Sequence, residues 1–394
     1  MTSLVTTTRP DGGAEGRVRA RELGITVGVG RPGPNNCITD VAGVRVGHST
    51  VTRGEGPLER GRGPVRTGVT VVLPHQDGVW NHQVPAGYHS LNGNGEMTGL
   101  HWIRECGTLR SPIGLTNTHS VGVVRDTLAE VEVTDRDAHD VYWSLPVVAE
   151  TWDGLLNDTN GFHVRPEHVR EALADATRDP AVRAPIAEGN VGSGTGMVSH
   201  GFKGGIGTAS RVVGEDGFTV GVLVQANHGW RSRLAINGAP VGRMIGPDEV
   251  PLPQVPGLDA GQEGGGSVIV IVATDAPLLP HQCRRLAQRA SLGIARTGGA
   301  GEHASGDLFL AFATGNRIET SDYGSHPPRL QEVRMLSEAY LDPLFHATIE
   351  ATEEALVNCL VAAETMTGRD GVTVHALPHD RLVQALDRFG LREA

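Results

Sequence analysis

A run of glycines meets the most apolar stretch of the chain at Ser267. Gly264–Gly266 precede this serine, and the strand-like run Val268–Val272 follows it. Five consecutive branched apolar residues predict a buried strand, and the glycines allow the backbone to bend and to be approached closely just before it. The junction therefore predicts a serine that is held rigidly at the entrance of a core strand.

The same junction could also provide a catalytic nucleophile. Cleavage of the bond between Gly266 and Ser267 would give Ser267 a free amine beside its own hydroxyl. An α-amino group titrates near pH ~8, close to the range in which a general base works best. The serine could then supply its own base, as amine-activated terminal nucleophiles do. A glycine linker that enters a core strand is the alternative from the local sequence alone.

The composition indicates many tight turns and argues against two classes of partner. Glycine accounts for 54 of the 394 residues and aromatic residues for only 4%, so close backbone approaches are expected in place of an aromatic core. The net charge of −11 disfavours broad binding to nucleic acids or to anionic membranes.

Cysteine usage and the N-terminus predict a cytoplasmic protein. The four cysteines are widely separated and form no CxxC pair, which is typical of reduced thiols. The first residues contain no apolar signal-peptide core, and no apolar run reaches the roughly 18 residues of a membrane span. Residues 1–24 are predicted to be a disordered tail.

Strand and helix patterns recur in both halves of the chain, which favours an α/β or α+β fold. Pro166–Thr177 has a proline just inside its start and apolar residues on one face, and therefore predicts a helix. Phe218–Gln225 predicts a buried strand, and residues 332–366 predict a long helical stretch, with an interruption at Pro343 as an alternative. Residues 252–266 are rich in proline and glycine, and they are the best candidate for an exposed, cleavable segment.

Several common functional motifs fail on inspection. The GxGxxG at Gly28–Gly33 is followed by Pro34-Asn35-Asn36 and not by a helix, so it does not predict a dinucleotide site. Gly196 and Gly201 have P-loop spacing, but Phe202 stands where the lysine is required. The chain has no HExxH and no GxSxG motif. We therefore expect neither a cofactor nor a metal.

Ser305 and Asp307 precede another predicted strand, Leu308–Ala313. A hydroxyl and a carboxylate at a strand entrance can orient the amine of Ser267 and relay its proton. An ordinary turn is the alternative.

Asn227 and Glu150 also follow apolar runs. Asn227 ends the strand-like Val222–Ala226, and a side-chain amide there can donate to a developing oxyanion. Glu150 follows Leu145–Ala149, and a partly buried carboxylate can bind the ammonium of a substrate. The alternatives are a turn residue at the end of a strand for Asn227 and a solvated helix end for Glu150.

Together these residues resemble the DmpA-type family of L-aminopeptidase D-Ala-esterase/amidases, which includes the β-peptidyl aminopeptidases. The resemblance covers nearly the whole chain beyond about residue 24. The matching stretches are ITDVAGVRVGHST (38–50), NGNGEMTG (92–99), SPIGLTNTHSVG (111–122), LPVVAETWDG (145–154), GNVGSGTGM (189–197), GFKGGIGTASR (201–211), GVLVQANHG (221–229), GSVIVIVATDAPLLPHQCRRLAQRA (266–290) and SGDLFLAFATGN (305–316).

The resemblance implies a fold and a maturation step. The expected fold is a four-layer α/β/β/α sandwich that resembles the N-terminal nucleophile hydrolases but has different strand connectivity. Residues 25–394 would form one domain, which cuts itself between Gly266 and Ser267 into chains 1–266 and 267–394. The implied assembly is a homo-oligomer, a tetramer of cleaved pairs.

The resemblance also implies residue roles. Ser267 matches the nucleophile, with Ser305 and Asp307 beside it. Asn227 matches the oxyanion-hole asparagine, and Glu150 matches the glutamate associated with the substrate amine.

Position 152 departs from the DmpA-type pattern. That pattern has a tyrosine in its ETYDG context, proposed to help the oxyanion hole, whereas this chain has Trp152. An indole can donate one N–H but cannot accept or relay a proton. The role of position 152 in substrate binding is therefore open.

The expected function is release of small N-terminal residues from peptides, amides or esters with a free amino group, through an acyl-enzyme and without a cofactor. An amidohydrolase for non-protein amide oligomers would share the fold and the self-cleavage. A different class of protein, an uncleaved binding protein without catalysis, is the remaining alternative. Preference for L-, D- or β-residues does not follow from the sequence.

Overall fold

A computed structural model describes residues 18–134, 136–139, 142–178, 186–215, 217–254, 266–320 and 329–392. The strands in these parts of the chain are β1 (Arg45–Arg53), β2 (Val65–Leu73), β3 (His82–Gly93), β4 (Thr108–Leu109), β5 (Ile113–Asn117), β6 (Val147–Thr151), β7 (Val198–Ser199), β8 (Phe202–Lys203), β9 (Gly205–Val213), β10 (Phe218–Asn227), β11 (Ser267–Thr274), β12 (Gly306–Ala313), β13 (Ile318–Glu319), β14 (Met366–Thr367) and β15 (Thr373–Val374). The helices are α1 (Leu100–Cys106), α2 (Val121–Thr134), α3 (Pro166–Thr177), α4 (Val241–Met244), α5 (Pro280–Arg296), α6 (Asp342–Ala362) and α7 (His379–Asp387).

Two sheets packed face to face form the centre of the fold. The smaller sheet has the strand order β1-β2-β5-β6, and the larger has the order β13-β3-β12-β11-β10-β9, with β4 paired to β3. Helices α2 and α3 cover the outer face of the smaller sheet, and α5 and α6 cover the outer face of the larger one. This order of layers confirms the predicted α/β/β/α sandwich.

The central strand β11 is buried on both faces. Along β11 the even-numbered residues from Val268 to Val272 pack against α5 and α6. The odd-numbered residues Ile269 and Ile271 pack between the two sheets. Because side chains alternate along a strand, Ser267 at the start of β11 faces the space between the sheets. The uninterrupted apolar run is explained by burial on both sides.

One predicted helix is confirmed, and another is shorter than predicted. The predicted helix Pro166–Thr177 has the same bounds as α3. The predicted stretch 332–366 becomes α-helical only from Asp342 to Ala362, because Pro343 suits the first turn of a helix but not its interior. In the described parts of the chain, no helix is both long and apolar enough to cross a lipid bilayer.

The predicted N-terminal tail ends earlier than residue 24. Ala20 is fully buried, and its neighbours form ion pairs with distant parts of the chain. Arg19 contacts Glu188 at 2.6 Å, and Arg21 contacts Glu354 at 2.7 Å. Residues 18–24 therefore belong to the folded body, and residues 1–17 lie outside the described residues.

Gly207 of β9 lies directly under α6, and its replacement tests this packing. A Cβ at position 207 would be 1.9 Å from the backbone oxygen of Ala355 and 2.8 Å from Cβ of Cys359. Gly207→Ala should therefore lower the free energy of unfolding by about 1–3 kcal/mol, measured by urea unfolding. Gly122→Ala is the matched control, since a Cβ there meets nothing within 4 Å. Equal stabilities of the two variants would contradict the close approach of β9 and α6.

Candidate active site

Ser267 lies in the middle of the larger sheet, where β11 begins. In the antiparallel pair of β10 and β11 it is opposite Asn227, the last residue of β10. In the parallel pair of β11 and β12 it is next to Gly306, the first residue of β12. Directly opposed residues of an antiparallel pair carry their side chains on the same face, with Cα atoms about 5 Å apart. The sheet therefore brings the Ser267 hydroxyl and the Asn227 amide together.

One backbone N–H serves both oxygen atoms at the Gly266–Ser267 bond. The N–H of Gly306 donates to Oγ of Ser267 at 3.2 Å and to the carbonyl oxygen of Gly266 at 3.2 Å. The hydroxyl and the carbonyl group that precedes it are thus held beside the same donor. Ser267 is only 6% exposed, so this arrangement is largely shielded from solvent.

Position 266 has no room for a side chain. A Cβ there would be 1.9 Å from the backbone oxygen of Asn227 and 3.1 Å from Cα of His228. Gly266 is therefore required for the close approach of β10 to the residue before Ser267. Gly264 and Gly265 lie outside the described residues.

The Asn227 side-chain amide is held at both ends. Its Oδ1 accepts the backbone N–H of Val198 at 2.8 Å, and its Nδ2 donates to the backbone oxygen of Trp152 at 2.9 Å. A flipped amide would place donors against donors at Val198, so these contacts fix which end is the donor. An amide nitrogen carries two N–H groups, and the contact with Trp152 uses one of them.

Ser305 and Asp307 form a hydrogen-bonded pair at the entrance of β12. Oγ of Ser305 donates to Oδ1 of Asp307 at 2.7 Å. Burial raises the pKa of the Asp307 carboxyl above its ordinary value of 3.8, and hydrogen bonds from Ser305, Asn92 and the Val268 backbone oppose that shift. The carboxyl group therefore lies beside the residue that follows Ser267.

Glu150 lies on a strand and is buried, so the alternative of a solvated helix end is wrong. It belongs to β6 of the smaller sheet and is only 3% exposed. Its Oε1 accepts the backbone N–H of Glu96 at 3.0 Å, and its Oε2 accepts the hydroxyl of Thr118. Burial raises the pKa of the Glu150 carboxyl, and these two hydrogen bonds oppose the shift.

Gly95 connects Glu150 to the larger sheet. A Cβ at position 95 would be 3.0 Å from Cα of Gly306 and 3.3 Å from Oε1 of Glu150. Gly95 therefore lies between the Glu150 carboxyl and β12, the strand that flanks Ser267. This close approach depends on glycine at position 95.

Trp152 contacts the site through its backbone. Its carbonyl oxygen accepts the Asn227 amide, as described above, and the residue is 39% exposed. The indole folds back over Gly154, where a Cβ would be 2.3 Å from Cζ2 of Trp152. The contact with Asn227 is therefore independent of the side chain at position 152.

The stretch 92–99, which begins with the last two residues of β3, contributes contacts that the sequence did not indicate. Asn92 donates through Nδ2 to the backbone oxygen of Glu302 at 2.7 Å and approaches Oδ2 of Asp307 at 3.5 Å. The position of this stretch beside Ser305 and Asp307 depends on the pairing of β3 with β12, which local sequence does not reveal.

Comparison with known proteins assigns the family. The model of Peptidase family S58 matches residues 36–374. This chain belongs to peptidase family S58. Family S58 is a family of aminopeptidases, and the predicted resemblance to its DmpA-type members is confirmed.

Individual relatives resemble the chain over nearly its whole length. β-Peptidyl aminopeptidase BapA of Sphingosinicella microcystinivorans is 49% identical over 382 residues, which cover 94% of this chain and 92% of the relative. A β-aminopeptidase of a Burkholderia species has a structure with a TM-score of 0.86 and 50% identity, covering 95% of this chain and 100% of the other.

A third similar protein identifies the fold. The L-aminopeptidase D-Ala-esterase/amidase of Ochrobactrum anthropi, described as a prototype for the serine aminopeptidases and a new variant among the Ntn hydrolase fold, has a TM-score of 0.84. It is 44% identical, and the match covers 95% of this chain and 99% of the other. The predicted relationship to N-terminal nucleophile hydrolases is therefore confirmed at the level of the fold.

The raised pKa of Asp307 predicts a stability effect with a definite sign. The folded protein holds this proton more tightly than the unfolded chain, so stability is lost as pH rises from 3.8 through the raised pKa. Asp307→Asn removes this loss. In a chain kept uncleaved by Ser267→Ala, the added Asp307→Asn replacement should raise the melting temperature at pH 7, and the difference should shrink towards pH 4.

Differential scanning calorimetry of these uncleaved proteins at both pH values measures this effect. Asp126→Asn, on the exposed surface of α2, is the matched control and should show no such pH-dependent difference. An Asp307→Asn midpoint that falls relative to the Ser267→Ala parent as pH rises would contradict the prediction.

Proposed function

We propose that this S58 protein is a self-processing serine aminopeptidase whose nucleophile is Ser267. The mature enzyme would consist of chains 1–266 and 267–394. The observation that carries the proposal is the shared N–H of Gly306, which holds the Ser267 hydroxyl and the Gly266 carbonyl group beside one donor.

Self-processing follows from this arrangement. Oγ of Ser267 attacks the carbonyl carbon of Gly266, and the N–H of Gly306 stabilises the negative charge that develops on the carbonyl oxygen. The C–N bond then breaks, the nitrogen takes the proton of the hydroxyl, and an ester remains between Gly266 and Oγ. Water hydrolyses this ester and leaves Ser267 with a free amine.

In the mature enzyme the new amine is the general base. The amine of Ser267 takes the hydroxyl proton, directly or through water, and Oγ attacks the substrate carbonyl carbon. Asn227 donates its second N–H to the oxyanion, a contribution of about 3–4 kcal/mol in comparable sites. The Ser305–Asp307 pair orients the amine and stabilises its protonated form. The leaving group takes this proton, and water releases the acyl group.

Glu150 selects substrates with a free amino terminus. Its carboxylate keeps acceptor positions beyond those used by Glu96 and Thr118, and it lies close to Gly306 across Gly95. An ammonium group in contact would offset the cost of ionising this buried carboxyl. The enzyme would therefore remove N-terminal residues and not cut within chains.

The substrate class that we propose is short peptides and amides with a small N-terminal residue, β-residues included. Two relatives, at 49% and 44% identity, are named β-peptidyl aminopeptidases, which favours a β-residue. Hydrolysis of β-Ala, L-Ala and D-Ala nitroanilides by the processed protein ranks the three substrate classes.

Assembly as tetramers of cleaved pairs stays a prediction, tested by light scattering.

Replacement of the nucleophile gives the first test. Ser267→Ala should remain one uncut chain without activity, because neither reaction has a nucleophile. Wild type should show two bands on a denaturing gel, and the smaller chain should begin with Ser267 on N-terminal sequencing. Ser291→Ala in α5 is the matched control and should be processed normally. A Ser267→Ala protein that still splits before residue 267 would falsify the proposal.

Replacement of Glu150 tests substrate selection. Glu150→Gln keeps the shape but removes the charge, so KM for β-Ala nitroanilide should rise about 10- to 100-fold while kcat changes little. Glu105→Gln on the exposed side of α1 is the matched control. An unchanged KM in Glu150→Gln, or an equal rise in both variants, would rule out this role.

A further inference from the structure

Lys203 is the only lysine in the chain; the other members of its 34 Lys and Arg residues are arginines. It lies on β8 and is fully buried. Its Nζ donates to the backbone oxygens of Gly194 at 3.3 Å, Met197 at 2.8 Å and Gly204 at 2.8 Å. These acceptors match the three donors of an ammonium group, a compact point charge that the planar arginine fork does not reproduce.

One peptide unit joins Lys203 to Asn227. The carbonyl oxygen of Met197 accepts Nζ of Lys203 and also the backbone N–H of Gly204, the latter at 2.9 Å. The N–H at the other end of this peptide unit, on Val198, donates to Oδ1 of Asn227 at 2.8 Å. Donors on the carbonyl make the N–H of the same peptide a stronger donor, because hydrogen bonds in a chain polarise one another.

We propose that Lys203 is a positioning residue for the aminopeptidase reaction, which acts through the Met197–Val198 peptide to orient and polarise the Asn227 amide towards the substrate oxyanion. This inference rests on the proposed function of Asn227. The buried charge of Lys203 does not touch the substrate. It strengthens the Asn227 N–H, which does. The expected contribution is roughly threefold in kcat, because cooperative strengthening along a chain of hydrogen bonds is only about 10–30% per bond.

The Lys203 side chain changes its charge near neutral pH. Burial lowers the pKa of its ammonium to about 7, so the charge is present below that pH and is lost above it. Of the described residues, the Cys359 thiol of α6 faces Lys203 as a titratable group. Burial raises the pKa of Cys359 to about 12, and the thiol therefore stays neutral. His375 contacts Lys203 through its backbone oxygen.

The test compares processed wild type, Lys203→Met, Asn227→Ala and the double variant from pH 5.5 to 9.5. Activity on β-Ala nitroanilide is expressed per mole of Ser267 N-terminus. The ratio of wild-type to Lys203→Met kcat should be roughly threefold at pH 6 and approach one at pH 9, with KM unchanged. This ratio cancels the titration of the Ser267 amine. In the Asn227→Ala background the same replacement should change kcat less than about twofold.

Two outcomes would overturn the inference. A ratio that does not change with pH, or an equal loss in both backgrounds, would mean that Lys203 only supports the fold. If Lys203→Met does not fold, wild type and Asn227→Ala suffice. Their kcat ratio should fall roughly threefold as pH rises through about 7, and a constant ratio overturns the role of Lys203. Equal activity of these two proteins would instead contradict the role of Asn227 in the proposed function.

A direct titration complements the kinetics. Because the chain has a single lysine, untagged protein labelled with ¹³Cε-lysine should give one side-chain NMR signal. This signal should titrate near pH 7 in wild type and be absent in Lys203→Met. A lysine signal that stays protonated through pH 9.5 would overturn the pH-dependent part of the inference.

Discussion

The hydrogen-bonded ladder that holds β11 between β10 and β12 positions the groups on which the proposed chemistry depends. It sets Ser267 opposite Asn227 and beside Gly306. A shift of one residue in this register would turn Ser267 from the space between the sheets to the helix side. The apolar residues that follow Ser267 prevent such a shift, because both of their faces are already packed.

The same ladder explains how a cut chain could stay assembled. β10 lies before the Gly266–Ser267 bond and β11 and β12 lie after it, yet all three are neighbours in one sheet. Cleavage would remove one covalent bond from a strand that is hydrogen-bonded on both sides and covered on both faces. The free energy that holds the two pieces together comes from this burial. The site can therefore gain an amine without losing its geometry.

The local sequence was informative where the residues that determine a feature are neighbours along the chain. The glycines before Ser267 and the apolar run after it identified both the strand and the candidate nucleophile. The bounds of α3 also followed from its own residues, since Pro166 and the apolar spacing act within one helix. The four-layer fold came from the resemblance to a family and not from the patterns alone.

Features that depend on distant contacts were not predictable in this way. The predicted end of the N-terminal tail was too far along the chain, because Arg19 and Arg21 form ion pairs with residues of much later segments. Thr118 was missed as a partner of Glu150, and Lys203 as a neighbour of the Asn227 network, since each contact joins separate strands or loops. These contacts follow from the tertiary fold, to which local propensity contributes little.

The measurement that tests the central role of Ser267 most directly is the intact mass of the protein during turnover of a β-alanyl ester. The protein should consist of two chains, and acid quenching should trap the acyl group on the chain 267–394, with fragmentation placing it on Ser267. An acyl group on chain 1–266, or turnover by a chain that remains whole, would contradict a terminal serine nucleophile.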